Sequence, residues 1–469
     1  MTSKAKRALR LVLGLFTLLL GGICEAPAQA EERPLAIGGV VVLPEGPLID
    51  GWVIVRGGLI QAITTDRSKI VDATVVATKG FIYPGFVDLH NHPIYSAFPR
   101  WSPPQQFQNR YKWRNFNGYL ERVAGPARIL QADESAFCDL VRFGELRALS
   151  GGTTSIHGIS AQKYLDPKMP ACIKGGVRHL DWISGFNGEQ VGREKIGSVL
   201  DIGPLDSRSA GDLIAKMNSG EIERLIIHLA EGRSSDRDSK DEFAKLTQLG
   251  LLHGKTTIIH GTALGALEFN DMAKAGASLV WSPRSNFVLY NETTDIKTAK
   301  AKGVTIALAP DWGITGSANM LAELSYARSV TSEFTDKELF EMATAIPARM
   351  AALDRMIGAI KIGAAADLLV LKAKDPDAYR NLVLAEPQDV QLVLVGGAVR
   401  YGSLQNVSTV ANGSSAPANI SLVDACGEQK AIEYSPRTSL GDKLQNLLRR
   451  IRARLGDFHV APAPLIECP

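Results

Sequence analysis

Apolar positions fall into three textures along the chain. From about residue 35 to 82, short alternating runs at 37–43, 51–56, 59–63 and 74–77 are broken by turn glycines such as Gly57-Gly58. Period-two alternation with glycine punctuation predicts short β-strands. The same texture returns at 357–360, 366–371 and 390–395, the last of these just before Gly396-Gly397. Between these flanks, residues 85–356 alternate apolar strand-like runs with helical stretches such as 134–149 and 264–275. That order is the signature of βα units. Strands are expected at 86–89, 153–156, 177–183, 225–228, 256–260, 277–281 and 304–309. Seven strands in this length predict an α/β fold, a (β/α)₈ TIM barrel with one unit unplaced between Gly185 and Pro204. Residues 31–84 and 357–402 are expected to form a small β-sandwich domain built from both flanks, with the barrel spanning 85–356.

Residues 403–469 differ again. The stretch 402–418 is rich in Ser, Gly, Asn and Ala and is expected to be a linker. Beyond it, Leu440, Leu444, Leu447, Leu448, Ile451 and Leu455 form one stripe at helical spacing, with Arg449, Arg450, Arg452 and Arg454 off it. A basic amphipathic helix can lie on a membrane surface, but docking on its own protein is the expectation. At the other end, Lys4, Lys6, Arg7 and Arg10 precede an uncharged apolar run and then Pro27-Ala28-Gln29-Ala30. Residues 1–30 therefore have the form of a signal peptide, and a periplasmic or secreted protein is expected.

Charge and cysteines narrow the partners. Residues 1–30 hold four of the 52 Lys and Arg and one of the 49 Asp and Glu, which leaves 48 of each in the remainder. A body with no net charge argues against nucleic acid as a main partner, and a small-molecule substrate is expected from the chemistry and resemblance set out below. The remainder has no apolar run of transmembrane length, and its oligomeric state is left open. Cys138, Cys172, Cys426 and Cys468 form no CxxC pair, so a cysteine metal site is not expected. Export permits disulfides, and Cys426 with Cys468 would staple the C-terminal tail; free buried thiols are the other reading.

The candidate chemistry begins at Pro84-Gly85-Phe86-Val87-Asp88-Leu89-His90-Asn91-His92. Side chains at i and i+2 of a strand share a face, so both imidazoles can converge on one metal ion. Barrel enzymes place their functional groups at the C-terminal ends of strands. His228 ends one expected strand with Glu231 three residues on, His260 ends the next, and Asp311 follows another. Singly, each histidine could be a hydrogen-bonded strand-end residue, and Asp311 could cap a following helix. Jointly, those readings are weaker.

These residues resemble the amidohydrolase superfamily over about residues 35–402. The matching elements are His90-x-His92, His228 with Glu231, His260, Asp311 and the late segment 357–368. Ser282-Pro283-Arg284-Ser285-Asn286 is similar to the seventh-strand end in the cytosine and guanine deaminase branch. Binuclear members bridge two metals with a carboxylated lysine or a glutamate at the end of the fourth strand. Here Glu194 and Lys195 do not end a clear strand. The resemblance thus implies one divalent ion, Zn²⁺ first and Fe²⁺ second, held by His90, His92, His228 and Asp311. It further implies that Asp311 accepts a proton from water, that His260 steadies the attacking oxygen, and that Glu231 protonates the leaving amine.

Trp312 is expected to stack on a planar substrate and Arg284 to clamp an anionic group. The aromatic stretch 98–119 is expected to wall the pocket, while His157 reads as structural. The activity expected is metal-dependent hydrolysis of a non-peptide C–N bond, by a deaminase or a cyclic or acyl amidase. A binuclear dipeptidase or lactonase, and a metal-retaining binding protein without catalysis, are the alternatives.

Overall fold

The computed structural model describes residues 33–158, 176–181, 196–413, 419–433 and 443–468. The expected signal peptide at 1–30 and Cys172 lie outside the described residues. The N-terminal flank supplies β1 (Leu35–Leu43), β2 (Gly46–Arg56), β3 (Leu59–Thr64) and β4 (Thr74–Pro84). Eight short strands follow: β5 (Phe86–Asp88), β6 (Thr153–Ile156), β7 (Arg178–His179), β8 (Ile196–Val199), β9 (Arg224–Leu229), β10 (Thr256–His260), β11 (Ser278–Trp281) and β12 (Thr305–Leu308). The C-terminal flank adds β13 (Leu368–Leu371), β14 (Val390–Val395), β15 (Ala398–Ser403), β16 (Ile420–Ala425) and β17 (Glu428–Glu433).

Strands β5 to β7 form one parallel sheet and β8 to β12 another. A parallel bridge between Asn91 and Asp311, just past β5 and β12, joins first strand to last. With helices between the strands, this is a TIM-barrel-type α/β fold. The unit left unplaced by the sequence is β8, inside the interval where it was expected. Gly85 makes the passage from β4 into β5 feasible: a Cβ there would sit 2.2 Å from the Thr154 side chain.

Both flanks join one nine-stranded sheet, in the order β16-β17-β15-β14-β13-β4-β1-β2-β3. The flanks meet where β13 pairs antiparallel with β4, Leu368 opposite Pro84 and Leu371 opposite Phe81. Side chains alternate across this seam. Phe81, Tyr83, Leu369, Leu371 and Val393 enter the core shared with the barrel, whereas Ile82, Leu368, Val370, Leu392 and Leu394 pack in a second cluster. Burial on both faces explains why β13 is an unbroken apolar run rather than an alternating one.

The C-terminal expectation needs correction. Within the stretch read as a linker, Leu404–Gly413 is a helix that buries Val407 and Val410, and β16 and β17 extend the sheet. Two valines three residues apart are enough to fasten one helical face, although polar residues surround them. The basic helix, Leu444–Gly456, docks on its own protein: Leu444, Leu447, Ile451 and Leu455 are buried. The Arg450 guanidinium grips the Asp139 carboxylate on helix Glu134–Ser150 at 2.9 Å. No helix among the described residues is long and apolar enough to cross a membrane.

Beyond that helix the tail is tied down. Cys426 and Cys468 form a disulfide, and Cys138 is disulfide-bonded as well. Glu467 receives Arg100 on one carboxylate oxygen and Arg147 on the other, each at 2.6 Å. Cross-linking two cysteines 42 residues apart removes freedom from the unfolded chain, an effect of about 2–4 kcal/mol. Cys426→Ser is therefore expected to lower Tm by several degrees in oxidising buffer, measured by calorimetry. The gap should close when variant and parent are both reduced.

Candidate active site

Strand ends bring the expected residues together. His90 and His92 follow β5, His228 lies in β9, His260 ends β10, and Asp311 follows β12. His90 Nε2 is 3.1 Å from Asp311 Oδ1 and 3.1 Å from His228 Nε2, and His92 Nε2 is 3.4 Å from the same Asp311 oxygen. His260 belongs to the same cluster, with His90 and His228. Ala230, His260 and Asp311 carry positive φ values of 53°, 67° and 66°. Non-glycine residues in that region are strained by order of 1–3 kcal/mol each, and such strain persists where surrounding bonds fix the backbone. Asp311 N–H donates to the His90 carbonyl at 3.0 Å, and Ala263 N–H to the Ala230 carbonyl at 2.9 Å.

Helix Pro283–Tyr290, after β11, orients the cluster. The Ser282 hydroxyl is 3.1 Å from His90 Nδ1, and the Ser285 hydroxyl donates to Asp311 Oδ2 at 2.6 Å. Asn286 Oδ1 is 3.0 Å from His260 Nδ1, and the Tyr290 hydroxyl donates to Glu231 Oε1 at 2.6 Å. Positions 282, 285, 286 and 290 recur at helical spacing, so one helix face serves four site residues. An amide oxygen can only accept, so His260 carries its proton on Nδ1 and turns Nε2 toward the site. Of these supports, Ser282, Ser285 and Asn286 lay in a motif already singled out. Tyr290 was missed, although its i+4 spacing from Asn286 was a usable signal.

Burial decides the protonation states. It drives His90 down to about 3 against the opposing pull of Asp311, and drives His228 well below the usual imidazole range with His90 and His260 adding to the effect. Burial alone would raise Asp311, but hydrogen bonds from His90 and His92 hold it well below the usual carboxylate range. Neutral imidazoles beside an ionised carboxylate are the forms that ligate a cation. Donors about 2.0–2.1 Å from a tetrahedral ion stand about 3.3 Å apart, which matches the 3.1–3.4 Å separations here. His90, His92 and Asp311 form one group that fits a single divalent metal ion, and His228 falls with His90 and His260 in a second group that shares His90.

Among the described residues the fourth strand adds no bridging ligand: Val199 is the last residue of β8, and Glu194 and Lys195 lie outside the described residues. The next acid, Asp201, is drawn to Arg110 at 3.3 Å. A narrow cleft of about 20 Å³ opens beside the cluster, lined by Asn91, Ser198, Leu200 and Ile259 together with His90, His92 and His228. His157 also faces it. Its Nε2 lies 2.9 Å from Asp181 and 2.7 Å from Ser198, which suits the structural role expected. Gly158, next in line, could not be replaced easily: a Cβ would fall 1.6 Å from the Asn91 carbonyl oxygen.

The two expected substrate residues part company. Trp312 stays at the site, its ring 5.8 Å from that of His92. Arg284 does not join it; its guanidinium lies over the Tyr326 ring at 5.5 Å, and its backbone N–H donates to Glu323. Asp311 caps no helix, since Asn319 caps Met320–Val330. In the aromatic stretch, Trp101, Phe107, Trp113 and Tyr119 are buried. Trp113 and Tyr119 pack on Trp312, and none of the stretch lines the cleft. Trp281 is core, packed on Phe334.

Residues 215–400 match the amidohydrolase family. The 5-methylthioadenosine/S-adenosylhomocysteine deaminase of Caldanaerobacter subterraneus subsp. tengcongensis is 21% identical over 393 residues, covering 76% of this chain and 90% of that protein. Among solved structures, an adenosine deaminase from Xanthomonas campestris with bound zinc superposes with a TM-score of 0.66 at 16% identity, over 92% of this chain and all of that one. Atrazine chlorohydrolase TrzN from Arthrobacter aurescens TC1, complexed with zinc, gives 0.63 at 16% identity, over 90% of this chain and all of that one. Family match, deaminase relatives and barrel together support the amidohydrolase superfamily and a hydrolase acting on carbon–nitrogen bonds other than peptide bonds.

Proposed function

We propose that the chain is a one-metal aminohydrolase that releases ammonia from a ring carbon of a nitrogen heterocycle. The observation that carries this reading is Glu231, whose Oε2 lies 3.6 Å from His260 Nε2 at the edge of the histidine cluster. A carboxyl group there can move a proton to a leaving amine. The relatives named as deaminases point the same way, at low identity.

His90, His92, His228 and Asp311 would hold the ion, Zn²⁺ first and Fe²⁺ second. When bound, a divalent ion supplies the Lewis acidity that makes hydroxide available near neutral pH. Asp311 presents Oδ1 to the cluster while Ser285 holds Oδ2, so Oδ1 is the oxygen that takes the proton from the attacking water. His260 presents Nε2 to the attacking oxygen and stabilises the negative charge that develops beyond it. Glu231 gives its proton to the exocyclic nitrogen, which departs as ammonia; the ring carbon keeps the oxygen as a carbonyl, the second water proton goes to the ring nitrogen, and the proton taken by Asp311 restores Glu231. Leu200 and Ile259 offer an apolar wall for a planar ring, and Ser198 and Asn91 offer polar groups to its edge. Trp312 backs His92 from the other side. Residues 1–30, by their pattern an export signal, would place this reaction outside the cytoplasm.

Two measurements test the reading. Metal analysis of the purified protein should find about one divalent ion per chain, lost from His228→Ala and Asp311→Asn but kept in Glu231→Gln. Two ions per chain would overturn the one-metal assignment. An ammonia-release screen over aminopurines, aminopyrimidines, aminotriazines and N-acyl compounds should find turnover with a heterocyclic amine. On that substrate Glu231→Gln should lower kcat by about 10²-fold or more. Full turnover by Glu231→Gln with its metal in place would remove the proton shuttle.

A further inference from the structure

The aromatic stretch after β5 reaches Glu231 through both backbone and side chains. Asn109 and Gly232 form an antiparallel bridge. Arg110 N–H donates to the Glu231 carbonyl at 3.0 Å, and Arg233 N–H to the Gln108 carbonyl at 2.8 Å. The Asn109 side-chain amide donates to Asp236 at 3.0 Å, and Asp236 in turn caps helix Arg237–Gln248. The Glu231 backbone is thus held as one rung of a short ladder. Its side chain is held by a second route, in which the Trp113 indole N–H donates to the Tyr290 hydroxyl oxygen at 2.7 Å and that hydroxyl donates to Glu231 Oε1 at 2.6 Å.

The direction of this chain is forced. An indole N–H can only donate, so the Tyr290 oxygen must accept from it, and the single phenolic proton is left for the carboxylate. Burial, with the Glu231 charge beside it, raises Tyr290 well above the usual phenol range, so that proton stays on the tyrosine. All three side chains are buried: Trp113 is 7% exposed, Tyr290 0% and Glu231 4%, so water does not compete for these bonds. Successive donors pointing one way reinforce each other in such surroundings. With Oε1 occupied, Oε2 is the oxygen left to face His260.

We propose that Tyr290 and Trp113 are positioning residues for proton transfer: Trp113 orders Tyr290, and Tyr290 fixes Glu231 so that Oε2 alone carries the proton. The aromatic insertion then belongs to the chemistry although it does not line the cleft. This rests on the shuttle role assigned to Glu231 above.

The test is a set of nested variants, assayed with the heterocyclic amine found in the ammonia screen. Tyr290→Phe should keep its metal and hold KM within about 3-fold while kcat falls about 10- to 100-fold, part of what a general acid contributes. Trp113→Phe should lower kcat less, and the double variant should be no worse than Tyr290→Phe alone, because the indole acts through the phenol. In a Glu231→Gln background, Tyr290→Phe should change kcat by less than about 2-fold. Independently of turnover, the Trp113 indole N–H resonance, assigned by its loss in Trp113→Phe, should shift in Tyr290→Phe. Parental kcat in Tyr290→Phe, or losses that multiply in the Glu231→Gln background, would overturn the proposal. If Tyr290→Phe does not fold, Trp113→Phe in the same two backgrounds gives the same decision. Full turnover by Glu231→Gln alone would instead defeat the shuttle reading first, so the two failures are distinguishable.

Discussion

Three imidazole nitrogens and one carboxylate oxygen, linked in the order His228, His90, Asp311, His92 by successive separations of 3.1, 3.1 and 3.4 Å, form the constraint around which the rest is arranged. Such a gathering is unfavourable without a cation, because lone pairs and a buried negative charge face a common space. Burial answers part of the problem by keeping His90 and His228 neutral, which removes repulsion between imidazolium ions but leaves Asp311 as a lone charge. The fold holds the groups there all the same. It does so by exiting β10 and β12 through left-handed residues and by bridging Asn91 to Asp311 across the closure of the barrel. Backbone strain and electrostatic strain therefore coincide, as expected where function rather than stability sets the geometry.

The helix Pro283–Tyr290 is the second half of the device. A metal cluster fixes only the ligand atoms, whereas catalysis also needs each ring and carboxylate turned the right way. Ser282, Ser285, Asn286 and Tyr290 do that from one face of two helical turns, reaching His90, Asp311, His260 and Glu231 respectively. In the proposed reaction such a helix would couple proton transfer to metal binding: a tilt that misplaced Ser285, which holds Asp311, would also move Tyr290. Arg284 lies off that face, which explains why it stacks on Tyr326 instead of reaching the cleft.

Features carried by local periodicity were legible in the sequence. The barrel strands, His90-x-His92 and the strand-end residues His228, His260 and Asp311 were found because each sits at a fixed offset from an apolar run. β8 was not, since Ile196-Gly197-Ser198-Val199 is four residues long with only one buried, too little contrast for a pattern. The helix at Leu404–Gly413 hid among Ser, Asn and Gly because two valines supply its whole buried face. The contact between Trp113 and Tyr290 was beyond reach for a different reason: they are 177 residues apart, and only the closed barrel makes them neighbours.

The C-terminal tail shows how the barrel mouth is kept in register without lining the cleft. Arg100 donates to the Gly316 carbonyl in the loop after Asp311, and Arg147 to the Ser96 carbonyl in the loop after His92. Two guanidiniums this close would repel each other, and burial already lowers Arg147 to about 10 despite its acidic neighbour. Glu467 is that neighbour, one oxygen on each arginine, delivered by a segment that the Cys426–Cys468 disulfide and the Ala463 to Ala97 backbone bond hold in place. Unpaired buried charge is far more costly than an imperfect surface pair. The tail therefore acts as the counter-ion that lets the loops after β5 and β12 share a basic seam. Those loops carry His92 and Asp311, so the same carboxylate that neutralises the seam also limits how far the two residues can drift apart.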